Sequence, residues 1–260
     1  MTIISVASSR PTTVVPSLVS TEKLDPQKAT PGLDGTTRWY DFADFAVEGK
    51  GWADTLSFYD RLPAKAKGKA PGDVWMFGHC TAGFCAYFST DAPAIQVRWT
   101  LLNDALAMLH IPATGVSGID LYIREENGPW RFFNNGRPET TVNSMTFSPP
   151  VGCECLLYLP LYNGVKSVAI GIPRDCSIST PSAASLRRRK TVVYYGTSIV
   201  QGGYASQRHF ITILKMSGLA GLAARPGAWS SRGAKTPNIP AETGNMTPEA
   251  RMRPTSFAGS

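Results

Sequence analysis

A serine on the turn that leaves a buried strand can serve as a nucleophile, and Thr191-Val-Val-Tyr-Tyr-Gly-Thr-Ser-Ile-Val-Gln-Gly-Gly203 has that form. Thr191 to Tyr195 is β-branched and aromatic, Gly196 interrupts the run, and Ile199-Val200 begins another. That pattern puts Ser198 at the end of a short strand. A hydroxyl there can reach a carbonyl carbon while a backbone N–H steadies the oxyanion. Taken alone, Gly-x-Ser is also an ordinary turn. The serine needs a base within hydrogen-bond reach and an acid to orient that base. After Ser198 the sequence holds no aspartate, and its one later histidine, His209, lies eleven residues on. A continuous helix would carry His209 about 16 Å away at ~1.5 Å per residue.

Other residues carry weaker chemical signals. Asp120, inside an apolar strand pattern, is costly unless paired or hydrogen-bonded. Turn amides or an arginine such as Arg98, Arg124 or Arg131 are the expected partners, which reads as a structural latch ahead of a ligand contact. Trp99, Trp130 and Tyr122 can form a sugar-stacking face, although aromatics on sandwich strands more commonly fill cores. Five cysteines occur without the framework of a small secreted scaffold. His79-Cys80 with Cys85, and Cys153 with Cys155 around Glu154, depart from paired zinc knuckles. Thiols packed on strands are expected, with no metal and no cofactor.

Three stretches resemble known families. Tyr195-Gly-Thr-Ser-Ile-Val-Gln-Gly-Gly203 resembles the first conserved block of the SGNH (GDSL-like) hydrolases, in which this serine is the nucleophile. Gly118-Ile-Asp-Leu-Tyr122 is similar to the signature of the GxDLY domain, a β-rich module that precedes certain SGNH catalytic domains. Leu159-Pro-Leu-Tyr-Asn-Gly-Val-Lys166 is similar to another segment of that module. The resemblance runs from roughly Trp39 to Ser206. It implies a serine esterase or acylhydrolase acting on esters, acetylated carbohydrate among them, with Ser198 as nucleophile. It also implies an Asp-x-x-His block downstream, and none is present. Ser198 is therefore expected to be a vestige in a catalytically incomplete chain, as after a premature stop, gene fragmentation or a frameshift near Ser206. The other reading is a non-catalytic β-sandwich that binds carbohydrate or a partner catalytic domain.

The elements that must position these residues are mostly strands. From Val74 to Ile172 the pattern reads as β, with Ile95-Gln-Val-Arg-Trp-Thr-Leu101 alternating like a half-buried antiparallel strand. Turns are expected at Asn127-Gly128-Pro129, Asn134-Asn-Gly136 and Asn163-Gly164. Asp104 to Leu109 reads as a short helix or a loop. Strands at roughly ten-residue spacing predict a mainly β fold, a β-sandwich or jelly roll, followed by the truncated start of an α/β hydrolase domain.

The expected organisation is an extended arm over 1–30, the sandwich over 31–175 and a Ser/Pro/Arg linker over 176–190. An incomplete hydrolase start over 191–206 and a disordered tail over 207–260 follow. The tail shows no further buried strand, and Asn238 and Asn245 lack the strand-end setting of an oxyanion asparagine.

Charge supports the division. The net +7 comes from the C-terminal part, where eleven Lys/Arg after Leu186 face two Asp/Glu. Arg187-Arg-Arg-Lys190 reads as a solvated linker end rather than a nucleic-acid signal. No apolar run approaches the ~20 residues of a membrane span, and Met1 to Arg10 lacks the form of a secretory leader. A cytoplasmic setting is favoured mildly. Nucleic-acid binding is not expected, and oligomeric state is not legible.

Overall fold

The computed structural model describes residues 21–125 and 128–182, Gln201, and the backbone of 192–194 and 222–224. Two antiparallel sheets make up the described β-domain. The first sheet contains β1 (Thr21–Lys23), β4 (Ala46–Glu48), β5 (Cys85–Thr90), β7 (Ile119–Arg124), β8 (Arg131–Gly136), β10 (Glu154–Tyr158) and β12 (Ile178–Pro181). Its order is β1-β12-β5-β10-β7-β8, with β4 also on β5. The second runs β2 (Thr30–Pro31), β3 (Thr37–Asp41), β11 (Val165–Pro173), β6 (Ile95–Leu101) and β9 (Val142–Phe147). The fold is mainly β, as the sequence predicts.

The alternation of β6 places Ile95, Val97, Trp99 and Leu101 in one buried cluster with Ala86, Phe88, Leu121, Ile123, Cys155 and Leu157. Residues two apart on a strand share a face, so this cluster is the seam between the sheets. Each fully buried Leu, Ile or Phe contributes roughly 1.5–3 kcal/mol of transfer free energy. The opposite face of the first sheet is buried too. There Cys85, Tyr87, Tyr122, Leu156 and Tyr158 pack with Trp130 and Phe132. Burial on both faces accounts for apolar side chains at successive positions, as from Cys155 to Tyr158.

Several local expectations change. Val74 to Phe77 reads as β, but it lies in helix α1 (Gly72–Phe77). Four apolar residues in a row carry no period that separates a helical turn from a strand. Asp104 to Leu109 is not helical; the nearby helix is α2 (Ala113–Ser117). Asn134 to Gly136 continues β8 instead of turning, paired with Leu121 to Ile119 of β7 on the far side of a register shift at Leu121/Tyr122. Ile178–Pro181 lies in the stretch read as a linker, yet it is a strand paired with β5 and β1. Ser177 secures its entry by bonding Asp91 through its backbone N–H at 2.6 Å and its hydroxyl at 2.7 Å.

The strand expected before Ser198 is present as β13 (Val192–Tyr194). It pairs in parallel with β14 (Leu222–Ala224), although the sequence beyond Ser206 reads as strandless. Parallel pairing is the way an α/β sheet begins. The rest of the arm, the linker residues 183–190, Ser198, His209, Asn238 and Asn245 lie outside the described residues.

Gly118 of the Gly118-Ile-Asp-Leu-Tyr122 motif has a steric reason. A Cβ there would stand 2.4 Å from the Thr114 backbone oxygen and 3.0 Å from that of Gly136. Backbone atoms on both sides leave no side chain free to yield. Gly118→Ala is expected to cost about 2 kcal/mol, read as a fall in the urea midpoint with an unchanged slope.

Candidate functional site

The segment Leu159 to Gly164 gathers four other parts of the chain. Leu159 donates its N–H to the Phe84 oxygen at 3.0 Å, and Tyr162 donates to Val116 at 3.0 Å. The Thr81 hydroxyl donates to the Pro160 oxygen at 2.9 Å, and the Thr81 N–H to Asn163 at 3.2 Å. Asn163 is 1 % exposed. Its Nδ2 donates to the Asn103 oxygen and to Ser117 Oγ, both at 3.0 Å, while its Oδ1 accepts from the Asn103 N–H at 3.1 Å. Gly164 passes so close to the next segment that a Cβ would lie 2.4 Å from the His79 oxygen. The side chain of Gln201 ends on the same segment, with Nε2 3.0 Å from the Leu161 oxygen.

Beside this loop stands an acid–imidazole pair. His79 Nδ1 lies 2.8 Å from Asp60 Oδ1, with the two side chains 31 % and 7 % exposed. The second oxygen of Asp60 accepts the Ser57 N–H at 3.0 Å. A carboxylate is an acceptor at both oxygens, so the Nδ1 of His79 is the donor in this contact. Trp75 meets the imidazole edge-on at 5.1 Å between ring centroids. Next to the pair Arg61 is buried and donates Nη2 to the Phe77 oxygen at 2.6 Å. Burial draws its guanidinium down to about 10. Cys80, also buried, has its thiol pushed up to about 11, mainly by desolvation. It is a packed, protonated thiol rather than a nucleophile.

Asp120 occupies a different setting from the expected one. It stands opposite Tyr158 on one side and Asn135 on the other, on the face away from the sandwich seam. It is 7 % exposed. Its Oδ1 has no hydrogen-bond partner among the described residues. Burial pushes its carboxyl up to about 8. The arginine latch is overturned, because each candidate is engaged elsewhere. Arg98 stacks on Trp39 at 3.8 Å from its centroid. Arg124 pairs with Glu154 and lies over Trp130 at 4.8 Å, and Arg131 pairs with Glu125.

The proposed stacking rings do not share a surface either. Trp99 is in the inter-sheet core, whereas Tyr122 is buried on the opposite side of the first sheet with Trp130 partly covered beside it. Cys85 belongs to that second cluster, and Cys153 and Cys155 lie 3.9 Å apart through their Sγ atoms. All five cysteines are free thiols. Among the described residues, no three His, Cys, Asp or Glu side chains converge as a metal site would require.

The sequence signals missed the Asp60–His79 pair and the hub role of Asn163. Nineteen residues separate the pair along the chain, and no periodicity connects them. The turn Asp60-Arg-Leu-Pro63 and the dipeptide His79-Cys80 were visible singly, and only the fold joins them. No helix among the described residues is long and apolar enough to cross a membrane.

Comparison with known proteins follows the same outline. The profile of the GxDLY family, described as the N-terminus of the SGNH-hydrolase type of esterase, matches residues 37–178. A solved structure from Bacteroides ovatus, titled as a GDSL-like lipase, superposes with a TM-score of 0.63 at 25 % identity. The match covers 73 % of this chain and 56 % of that one. The salicylyl-acyltransferase of a tetracycline biosynthetic pathway superposes at 0.53 with 13 % identity, over 76 % of this chain and 53 % of its own. That likeness is one of fold. The chain thus spans just over half the length of these solved relatives. No curated protein matches it.

Proposed function

The chain belongs to the GxDLY family, the N-terminal part of SGNH-type esterases, and from that premise we propose that it serves ester hydrolysis with Ser198 as the nucleophile. The observation that carries this reading is the order of the matched region. A family-matched sandwich over 37–178 is followed by a strand at Val192–Tyr194 and then by the sequence Gly196-Thr-Ser-Ile199. The name of the Bacteroides ovatus relative, a GDSL-like lipase, points to the same bond type. In this reading Ser198 Oγ attacks an ester carbonyl, and the acyl group passes through a covalent intermediate to water. The sequence after Ser198 lacks the Asp-x-x-His block.

Incubating the purified 260-residue protein with a fluorophosphonate probe tests the nucleophile. Covalent labelling of wild type is expected, with none in Ser198→Ala. Equal labelling of the two proteins would remove Ser198 from the chemistry.

A further inference from the structure

We propose that Cys153 and Cys155 form a reversible dithiol–disulfide site, closed by a low-molecular-weight disulfide such as oxidised glutathione and reopened by thiols. The two Sγ atoms stand 3.9 Å apart. Both side chains belong to the seam between the sheets, at 4 % and 0 % exposure. A bond between them needs about 2.05 Å, so closure takes a movement of roughly 2 Å. Two residues of extended chain put the Cα atoms about 6.6 Å apart at ~3.3 Å per residue. That lies near the upper end of the ~4.4–6.8 Å that a disulfide spans. The local backbone decides which side yields. Cys155 is held in the ladder on both sides, opposite Phe88 on β5 and Ile123 on β7. Cys153 precedes β10, and its N–H donates at 3.3 Å to Pro150 within its own turn. In that turn a Cβ on Gly152 would meet nothing within 4 Å, and Val151 is exposed. Cys153 is therefore the partner with room to move, and it lies two residues from solvent-exposed chain.

The pair is asymmetric in a way that orders the chemistry. The hydrogen bond with Cys155 holds the Cys153 thiol below its ordinary value against the opposing effect of desolvation. The same contact and its own burial push Cys155 well up. Cys153 is thus the attacking thiolate. Its sulfur bonds to one sulfur of the reagent, the reagent S–S bond breaks, and the first reagent thiolate leaves and takes up the proton that Cys153 gave to solvent. Cys155 then loses its proton and bonds to Cys153 Sγ, and the second reagent thiolate departs and is protonated in turn. Two protein thiols and one reagent disulfide become one protein disulfide and two reagent thiols. Because the ladder holds Cys155 in place, the closed bond stays stretched, and strained disulfides are the readily reduced ones. Cys85 lies on the opposite face of the first sheet, separated from the pair by the sheet itself.

Thiols that only fill the seam as small hydrophobes would stay reduced in the folded chain. The test incubates the folded 260-residue protein with oxidised glutathione, alkylates the remaining thiols after unfolding, and maps tryptic peptides by mass. Cys153 and Cys155 are the only cysteines between Arg131 and Lys166, so the fragment between those residues reports on the pair alone. In wild type that fragment is expected to be unalkylated and lighter by two hydrogens, and the chain loses two of its five thiols. Dithiothreitol restores both. Cys176→Ser, which removes the partly exposed thiol, gives the same fragment. Cys155→Ser stops at a stable glutathione adduct on Cys153, and Cys153→Ser leaves the fragment free of glutathione. A wild-type fragment that stays doubly alkylated would overturn the site, and so would a lasting glutathione adduct on wild-type Cys153. The wild-type digest decides the matter even where thermal melts show that a serine variant fails to fold.

Discussion

The stability advantage of Asp120→Asn over wild type grows as the pH is raised from about 4 to 8. Asp120 is buried without a partner for Oδ1 among the described residues, and its carboxyl is raised from 3.8 to about 8 by desolvation alone. A raised acid stabilises the folded state only while both states hold the proton. That contribution is complete below the unfolded value near 4, is lost steadily as the pH rises, and falls no further above about 8. Each pH unit in the window is worth about 1.4 kcal/mol, and relaxation of the buried site reduces the total. A change on the order of 3 kcal/mol between pH 4.5 and 8 is therefore expected in wild type.

Asparagine has the same shape and no charge to lose, so its curve is flatter. It adds a buried amide donor at a cost of roughly 1–3 kcal/mol that does not vary with pH. The slope of the difference, not its absolute value, is the readout. Urea unfolding of both proteins at pH 4.5, 6 and 8 measures it. Parallel stability curves would mean that Asp120 already has a charged or donating partner.

What could be read from the sequence was decided by whether a residue's role is local. The β6 pattern names its own buried face because each residue alternates with the next, and the Asn-Gly turn at Asn163-Gly164 marks a connection by composition alone. The composition of β5, β7 and β10 marks them as strands, but that both their faces are buried is visible only in the fold. Val74 to Phe77 failed because a helix of six residues shows less than two turns of period. Ile178–Pro181 failed because its composition matches a linker, while its strand state depends on hydrogen bonds to residues near position 90. The functional elements were harder. Ser198 has a local signature, Gly-Thr-Ser-Ile after a β-branched and aromatic run. His79 acquires its meaning only from Asp60, and Asp120 lost its expected arginines to Glu154, Glu125 and Trp39. Competition among charged partners is a property of the folded surface and leaves no trace in spacing.

Asn163 shows the same principle at its strongest, and its removal is expected to be among the most damaging single changes in the β-domain. To sequence reading it is half of a turn. In the fold its amide spans Asn103 and Ser117, two positions 60 and 46 residues away. Asn163→Ala deletes both Nδ2 donations and both acceptances at Oδ1, from the Asn103 N–H and Nδ2. It leaves the buried Ser117 hydroxyl and the Asn103 backbone without these partners. At about 1 kcal/mol per lost bond, with 1–3 for each group left unpaired, the cost is about 4 kcal/mol. For a domain of this size that lowers Tm by ~10 °C or more.

Asn163→Asp separates geometry from donation. It keeps the Oδ1 acceptor, but it sets an oxygen against the Asn103 carbonyl, so it is expected to fall nearer to alanine than to wild type. Hydrogen exchange adds the local test. The N–H groups of Leu102, Tyr162 and Thr81, which bond across this loop, should lose protection first. If Asn163→Ala melts with wild type and these three amides stay protected, the backbone bonds alone hold the loop. The amide of Asn163 would then have no part in keeping the His79 segment and the Gln201 contact together.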